Sequence, residues 1–162
     1  MPNPINERFS FFYGGFMSQW IPSRFLVEGV NYANAEQYMM AGKAKLFGDT
    51  GMLEKIMRTT DPYQIKMEFG RNITPFDPAT WNAVAREIVF RGNIAKFSQN
   101  PVLLDLLYGT IGTTIVEASP TDTVWGIGMA EYDLGIEDRS NWCGTNWLGE
   151  VLMEVRDALC VQ

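Results

Sequence analysis

The segment that most restricts the fold is "PATWNAVAREIVFRGNIAKFSQN", residues 78 to 100. Trp81, Val84, Ala85, Ile88 and Val89 recur near helical spacing, and the pattern continues towards Phe97. This predicts a long helix whose apolar stripe needs partners, with Gly92 lowering its stability without ending it. Other helices are available to pack on it. "NYANAEQYMMAGKAKLFGD", residues 31 to 49, predicts a helix to about Phe47, with Asn34 as N-cap and Gln37 at the capping-box position. "DTGMLEKIMRTTDP" predicts a short helix stopped near Pro62, and "PYQIKMEFGRNI" another ended by Gly70. "PVLLDLLYG" opens on proline and closes on glycine. The last helix, Trp147 to Leu159, aligns Leu148, Val151, Leu152, Val155 and Leu159, with Asn146 as its cap. "FFYGGFMSQWIPSRFLVEGVNYANAEQ" suits short strands and turns, "TTIVEAS" a strand, and "PTDTVWGIGMAEYDLG" a loop or short strand. The expected fold is mainly α with a few short β-strands. One compact domain over residues 1–162 is expected, with no repeat or linker.

Composition removes several functions. With 162 residues, 46% hydrophobic and 20% charged, the chain can bury a sizeable core and is not generally disordered. A net charge of −6 opposes broad binding to a nucleic-acid backbone, but not a nucleic acid whose single modified nucleotide enters a pocket. No run approaches a membrane span, and "MPNPINERFS" lacks a basic-then-apolar signal, so a soluble, cytoplasmic protein is expected. Cys143 and Cys160 have no ligand-like spacing and suit reduced thiols. The chain has no histidine, which removes the Ser-His-Asp triad, the Cys-His dyad, HExxH and most zinc sites. Acid–base chemistry must then use Asp, Glu, Lys, Tyr or Cys. No metal and no cofactor is implied.

Four constellations are candidates. Glu36 and Lys43 are seven residues apart, on nearly one helix face and roughly 10 Å apart along the axis, with Met40 and Phe47 between and beyond them. That spacing cannot close an ordinary surface ion pair. Either both are solvated charges, or a ligand lies between them and the apolar pair desolvates the amine and the carboxylate. In "VEASPTDTVWGIG", Glu117 ends a strand, Asp122 follows on the loop, and Trp125 sits among small residues. Gly126 and Gly128 would admit a ligand to the backbone, so the segment suits a ribose hydroxyl with a stacked base, or else a turn with a core Trp. "SNWCGTNWLGE" places Trp142 and Gly144 ahead of a helix start that suits a phosphate, or simply anchors a capped helix. In "SQWIPSRF", Ser18, Gln19 and Arg24 suit phosphate or hydroxyl contacts, with Trp20 beside them.

Taken in order, "FFYGGFMSQWIPSRF", "NYANAEQYMMAGKAKLFGD", "IKMEFGRNI", "KFSQNPVLLDLLYGT", "IVEASPTDTVWGIG" and "NWCGTNWLGEVLMEVRDAL" resemble the YbiA-like family, also called NADAR (NAD and ADP-ribose). The blocks span about residues 11–159. The resemblance implies a pocket for ribose-phosphate-like ligands and N-glycosidase activity. The substrate would be a ribosyl-phosphate or ADP-ribosyl small molecule, such as an early riboflavin-pathway intermediate, or a nucleic acid ADP-ribosylated on guanine. The second would fit a toxin–antitoxin or phage setting. A non-catalytic NAD- or ADP-ribose-sensing module is the alternative, and a partner-binding or structural protein a third. By residue match, Glu36, Lys43 and Asp122 carry over as catalytic, with Trp125, Glu117, Trp142 and Asn146 in substrate binding. Many relatives carry His where this chain has Gln37, so that His is not needed for the shared chemistry. A glycosylamine can open to an imine, so Lys43 could add at the sugar carbon as a nucleophile while Glu36 or Asp122 moves protons. Direct attack by water is the other route.

Overall fold

The computed structural model describes residues 3, 4 and 6–160. The elements in chain order are β1 (Phe9–Phe12), β2 (Phe25–Val27), β3 (Val30–Tyr32), α1 (Ala35–Phe47), α2 (Thr50–Met57), α3 (Pro78–Gln99), α4 (Pro101–Tyr108), β4 (Thr114–Glu117) and α5 (Trp147–Leu159). The architecture is mainly α with short strands. The outermost sequence-based boundaries, 1 and 162, fall outside the described residues. Among the described residues no helix is long and apolar enough to cross a membrane.

Two units are described separately: Gln19–Pro101, and the chain before Gln19 together with the chain from Val102 on. In the first, β2 and β3 form an antiparallel hairpin, pairing Phe25 with Tyr32. Asn34 caps α1, its side-chain oxygen accepting the Gln37 N–H at 2.8 Å. Gln37 does not complete an ordinary capping box. Its Oε1 accepts from the Ala33 N–H (2.7 Å), one residue before the cap. Its Nε2 donates to the Ile56 and Thr59 carbonyls, fastening the end of α2 to the start of α1. That is a structural task. Asp49 and Asp77 cap α2 and α3 in turn. Residues Gln64–Phe69 are not an α-helix ended by Gly70. They form a π-helical turn that tightens to a 3-10 turn over Gly70–Asn72.

Gly92 lies inside α3 because α1 comes too close for anything larger. A Cβ there would sit 2.6 Å from Tyr38 Cδ1, and one on Gly42 would meet Ile88 Cγ2 at 3.0 Å. Tyr38 cannot easily move away, since its ring lies against Tyr32 and Phe25.

In the second unit β1 and β4 pair in parallel, with Phe9 opposite Thr114 and Phe12 opposite Glu117. α5 lies directly on β4: a Cβ on Gly149 would be 2.2 Å from the Ile115 carbonyl oxygen. Leu148, Val151, Leu152 and Val155 fill the contact. Asn146 does not cap α5 through its side chain. It adopts a left-handed conformation (φ 56°), and its amide grips β4 by accepting from Glu117 N–H (3.0 Å) and donating to Ile115 O (2.9 Å).

Helix propensity alone would make Gly92→Ala stabilising by nearly 1 kcal/mol. The Tyr38 contact reverses the sign, and we expect the variant to lose about 1–3 kcal/mol in urea unfolding.

Candidate active site

α1 projects the carboxylate–amine pair into the protein rather than into water. Glu36 is only 4% exposed, which overturns the reading of both groups as solvated charges. Lys43, two turns on, is half-buried, and its Nζ donates to the Gly70 carbonyl at 2.9 Å rather than to Glu36. Loss of hydration holds the Lys43 amine below its usual value of 10.5, opposed in part by the charge of Glu36.

The apolar wall is built differently from the expectation. Met40 is buried, but Phe47 acts one ring removed, meeting the edge of Phe76 at 5.2 Å. Phe76 is the ring beneath Lys43, with Nζ 4.6 Å from its centroid, and Trp81 stands at 5.8 Å. Gly70 is also fixed by this site, since a Cβ would fall 2.3 Å from Met40 Sδ. Neither Phe76 nor Gly70 carries a periodic signal. Trp81 was legible only as the first member of an apolar stripe.

Two further polar groups in this unit escaped the sequence reading. Asn93 and Lys96 on α3 have no solvent exposure at all. Lys96 continues the line Trp81, Ala85, Val89, Gly92, and a lysine on that stripe was the available signal. Burial pushes its amine down from 10.5 to about 7. Of the "SQWIPSRF" group, Trp20 is 37% exposed and Arg24 is exposed, as a ligand contact requires. Gln19 is not available for one. Its Oε1 accepts from Asn93 Nδ2 (2.8 Å), and its backbone carbonyl holds the Glu36 N–H (3.0 Å).

Ser18 belongs to the other unit and is half-buried. There the loop after β4 brings Asp122 and Trp125 together. Asp122 Oδ1 accepts the backbone N–H groups of Val124 (2.9 Å) and Trp125 (2.8 Å), so one carboxylate oxygen fixes the backbone that carries Trp125. Trp125 packs edge-on to Trp147 at 5.5 Å and remains half-buried. Asp122 and Trp125 thus lie together on one loop, each half-buried. Other expectations here are corrected. Gly126 makes room for the protein itself: a Cβ would meet Asp122 O and Ser119 Cβ at 2.9 Å and Glu117 O at 3.0 Å. Trp142 already donates its indole N–H to Ile136 O (2.7 Å) and packs on Phe9, which makes it an anchor. Asn146 is spent on β4, through Glu117 N–H and Ile115 O. At the start of α5 the Trp147 and Leu148 N–H groups bond the Val124 and Trp125 carbonyls, so neither of these donors is left for a phosphate. Glu117 is half-buried at the end of β4.

Lys96 predicts a pH signature. Its folded value near 7 lies below the unfolded 10.5, so unfolding takes up a proton between those limits and stability rises with pH across that window. Between pH 7.5 and 9.5 the wild type should gain about 2 kcal/mol more in urea unfolding than Lys96→Met, which lacks the group.

A model of the family described as NADAR domain matches residues 9–160 of the chain. The protein named N-glycosidase R617 of Acanthamoeba polyphaga mimivirus is 41% identical, over 93% of this chain and 96% of that one. N-glycosidase YbiA of Shigella flexneri serotype 5b is 30% identical, over 93% of this chain and 84% of that one. The NMR structure of E. coli YbiA superposes with a TM-score of 0.77 at 26% identity, covering 95% of this chain and 86% of that one. With six ordered sequence blocks, a family match over nearly its whole length and a shared fold, the chain belongs to the NADAR family.

Proposed function

We propose that the chain is an N-glycosidase that hydrolyses the C–N bond between a ribose carbon and an amino group of a nucleobase or pyrimidine. The observation that carries the proposal is the desolvated amine of Lys43, on the same helix as the buried carboxylate of Glu36. An amine held below its ordinary pKa is neutral more often, and a neutral amine is the nucleophile that a glycosylamine requires. The names of the relatives, N-glycosidase R617 and N-glycosidase YbiA, point the same way.

The chemistry uses groups that this chain possesses. The ribosylamine ring opens as the C1–O bond breaks, leaving an imine at C1. Lys43 Nζ adds to C1, and the departing amino group takes a proton and leaves with the C–N electron pair. Lys43 is then held to C1 as a protonated imine. Water adds to that carbon, Nζ departs, and the free sugar closes. Glu36 carries protons to the ring oxygen and the leaving nitrogen. Phe76 lies beneath Nζ, where its ring forms one wall beside the amine. The substrate is either ADP-ribosyl-guanine in nucleic acid or a ribosylaminopyrimidine phosphate of the riboflavin route. The net charge of −6 favours a single nucleotide or small molecule over a long nucleic-acid track.

The test is a parallel hydrolysis assay offering an ADP-ribosyl-guanine oligonucleotide, a ribosylaminopyrimidine phosphate and NAD, with products weighed by mass spectrometry. We expect ribose phosphate or ADP-ribose to be released from one of them. Glu36→Gln should lower kcat by about 10²–10⁴-fold. Borohydride added during turnover should leave the sugar on Lys43 as a stable adduct, absent from Lys43→Ala. Turnover with no adduct would replace the imine by direct attack of water, and ligand binding without turnover would leave a sensing module.

A further inference from the structure

The Gln19–Pro101 unit contains a buried polar layer that the chemistry above leaves unused. Asn93 donates both amide hydrogens, to Gln19 Oε1 at 2.8 Å and to the Val89 carbonyl at 2.9 Å. These bonds fix the amide's orientation, because turning it over would set its oxygen against the Val89 oxygen. Among the described residues Oδ1 is thereby left fully buried with no donor. Gln19 is buried too, and carries the connection onward. Its Nε2 lies 3.9 Å from Met39 Sδ, and its backbone carbonyl accepts the Glu36 N–H at 3.0 Å. The middle of α3 is therefore joined to the first turn of α1 at the residue that bears the proposed acid–base carboxylate. One helical turn beyond Asn93, Lys96 extends the layer without solvent exposure.

An apolar side chain at position 93 would pack this interior without an orphaned acceptor, and native interiors keep few of those. An N–H in the first turn of a helix has no partner within its own helix, so whatever accepts it sets where that turn begins. Here the acceptor is Gln19, and Gln19 is held by Asn93. We propose that Asn93, acting through Gln19, is a positioning residue for Glu36. The kinetic arm of its test rests on the N-glycosidase reading, and the spectroscopic arm does not.

The experiment compares wild type with Asn93→Leu and with Gln19→Met, which keeps the bulk and the backbone carbonyl of Gln19 and removes the side-chain oxygen that Asn93 holds. Glu36 is followed by carboxyl-13C NMR titration, assigned with Glu36→Gln. Kinetics use whichever of the three probes the wild type hydrolyses. Either variant should move the Glu36 midpoint by about 0.5 pH unit or more. It should lower kcat by about 10- to 100-fold, with KM changed less than about threefold. A folded variant with an unmoved Glu36 midpoint, or a loss carried by KM alone, would overturn the proposal. So would unfolding of both variants, which would make the pair purely structural. If the wild type hydrolyses none of the three probes, the N-glycosidase reading falls, and the Glu36 midpoint alone decides the positioning role.

Discussion

Loss of water around ionisable side chains is the constraint on which the Gln19–Pro101 unit depends. Removing hydration from a charge is strongly unfavourable, and a protein accepts it only where geometry or chemistry compensates. Two packed helices bury Glu36, half-bury Lys43 and wholly bury Lys96. Gly42 and Gly92 allow the close packing between α1 and α3. Lys43 is the member that chemistry can use, since it keeps some access to solvent while Phe76 and Gly70 shape its surroundings. Caps do the remaining local work. Asn34 and Gln37 fix where α1 starts, and so which residues face inward.

The other unit answers a different problem, the holding of a short parallel strand pair that has little ladder of its own. Asn146 bonds the β4 backbone at two points, and Gly149 lets α5 rest on the strand. The 123–126 loop then gives its carbonyls to the N–H groups of residues 145–148. Groups that looked free for a ligand are consumed by this arrangement. Asp122 and Trp125 come out of it oriented rather than buried, which leaves them the candidate ligand-facing pair of that unit.

Much of this was legible beforehand where a rule is local. The bounds of α1, the start of α3 and the strand at 114–117 follow from caps and periodicity, and α5 from periodicity alone. The Glu36–Lys43 spacing was an anomaly that a surface ion pair does not explain, and burial resolves it. What escaped were contacts made at long range. Phe76 is an exposed loop residue with no pattern around it, yet it lies under Lys43. Asn146 occupies a cap position but serves a strand about thirty residues away. Gly92 read as a weak point in a helix and Gly126 as room for a ligand, whereas each is a steric necessity. Lys96 could have been found by asking why a lysine stands on an apolar stripe.

The central claim is that packing on α1 desolvates the Lys43 amine, and its most direct test is titration of that amine. With 13Cε-labelled lysine and Lys43→Arg for assignment, NMR should place the Lys43 midpoint below 10.5. Phe76→Ala should move it, because the ring lies against the amine, 4.6 Å from Nζ to centroid. A Lys43 midpoint at or above 10.5, unmoved by Phe76→Ala, would contradict the account.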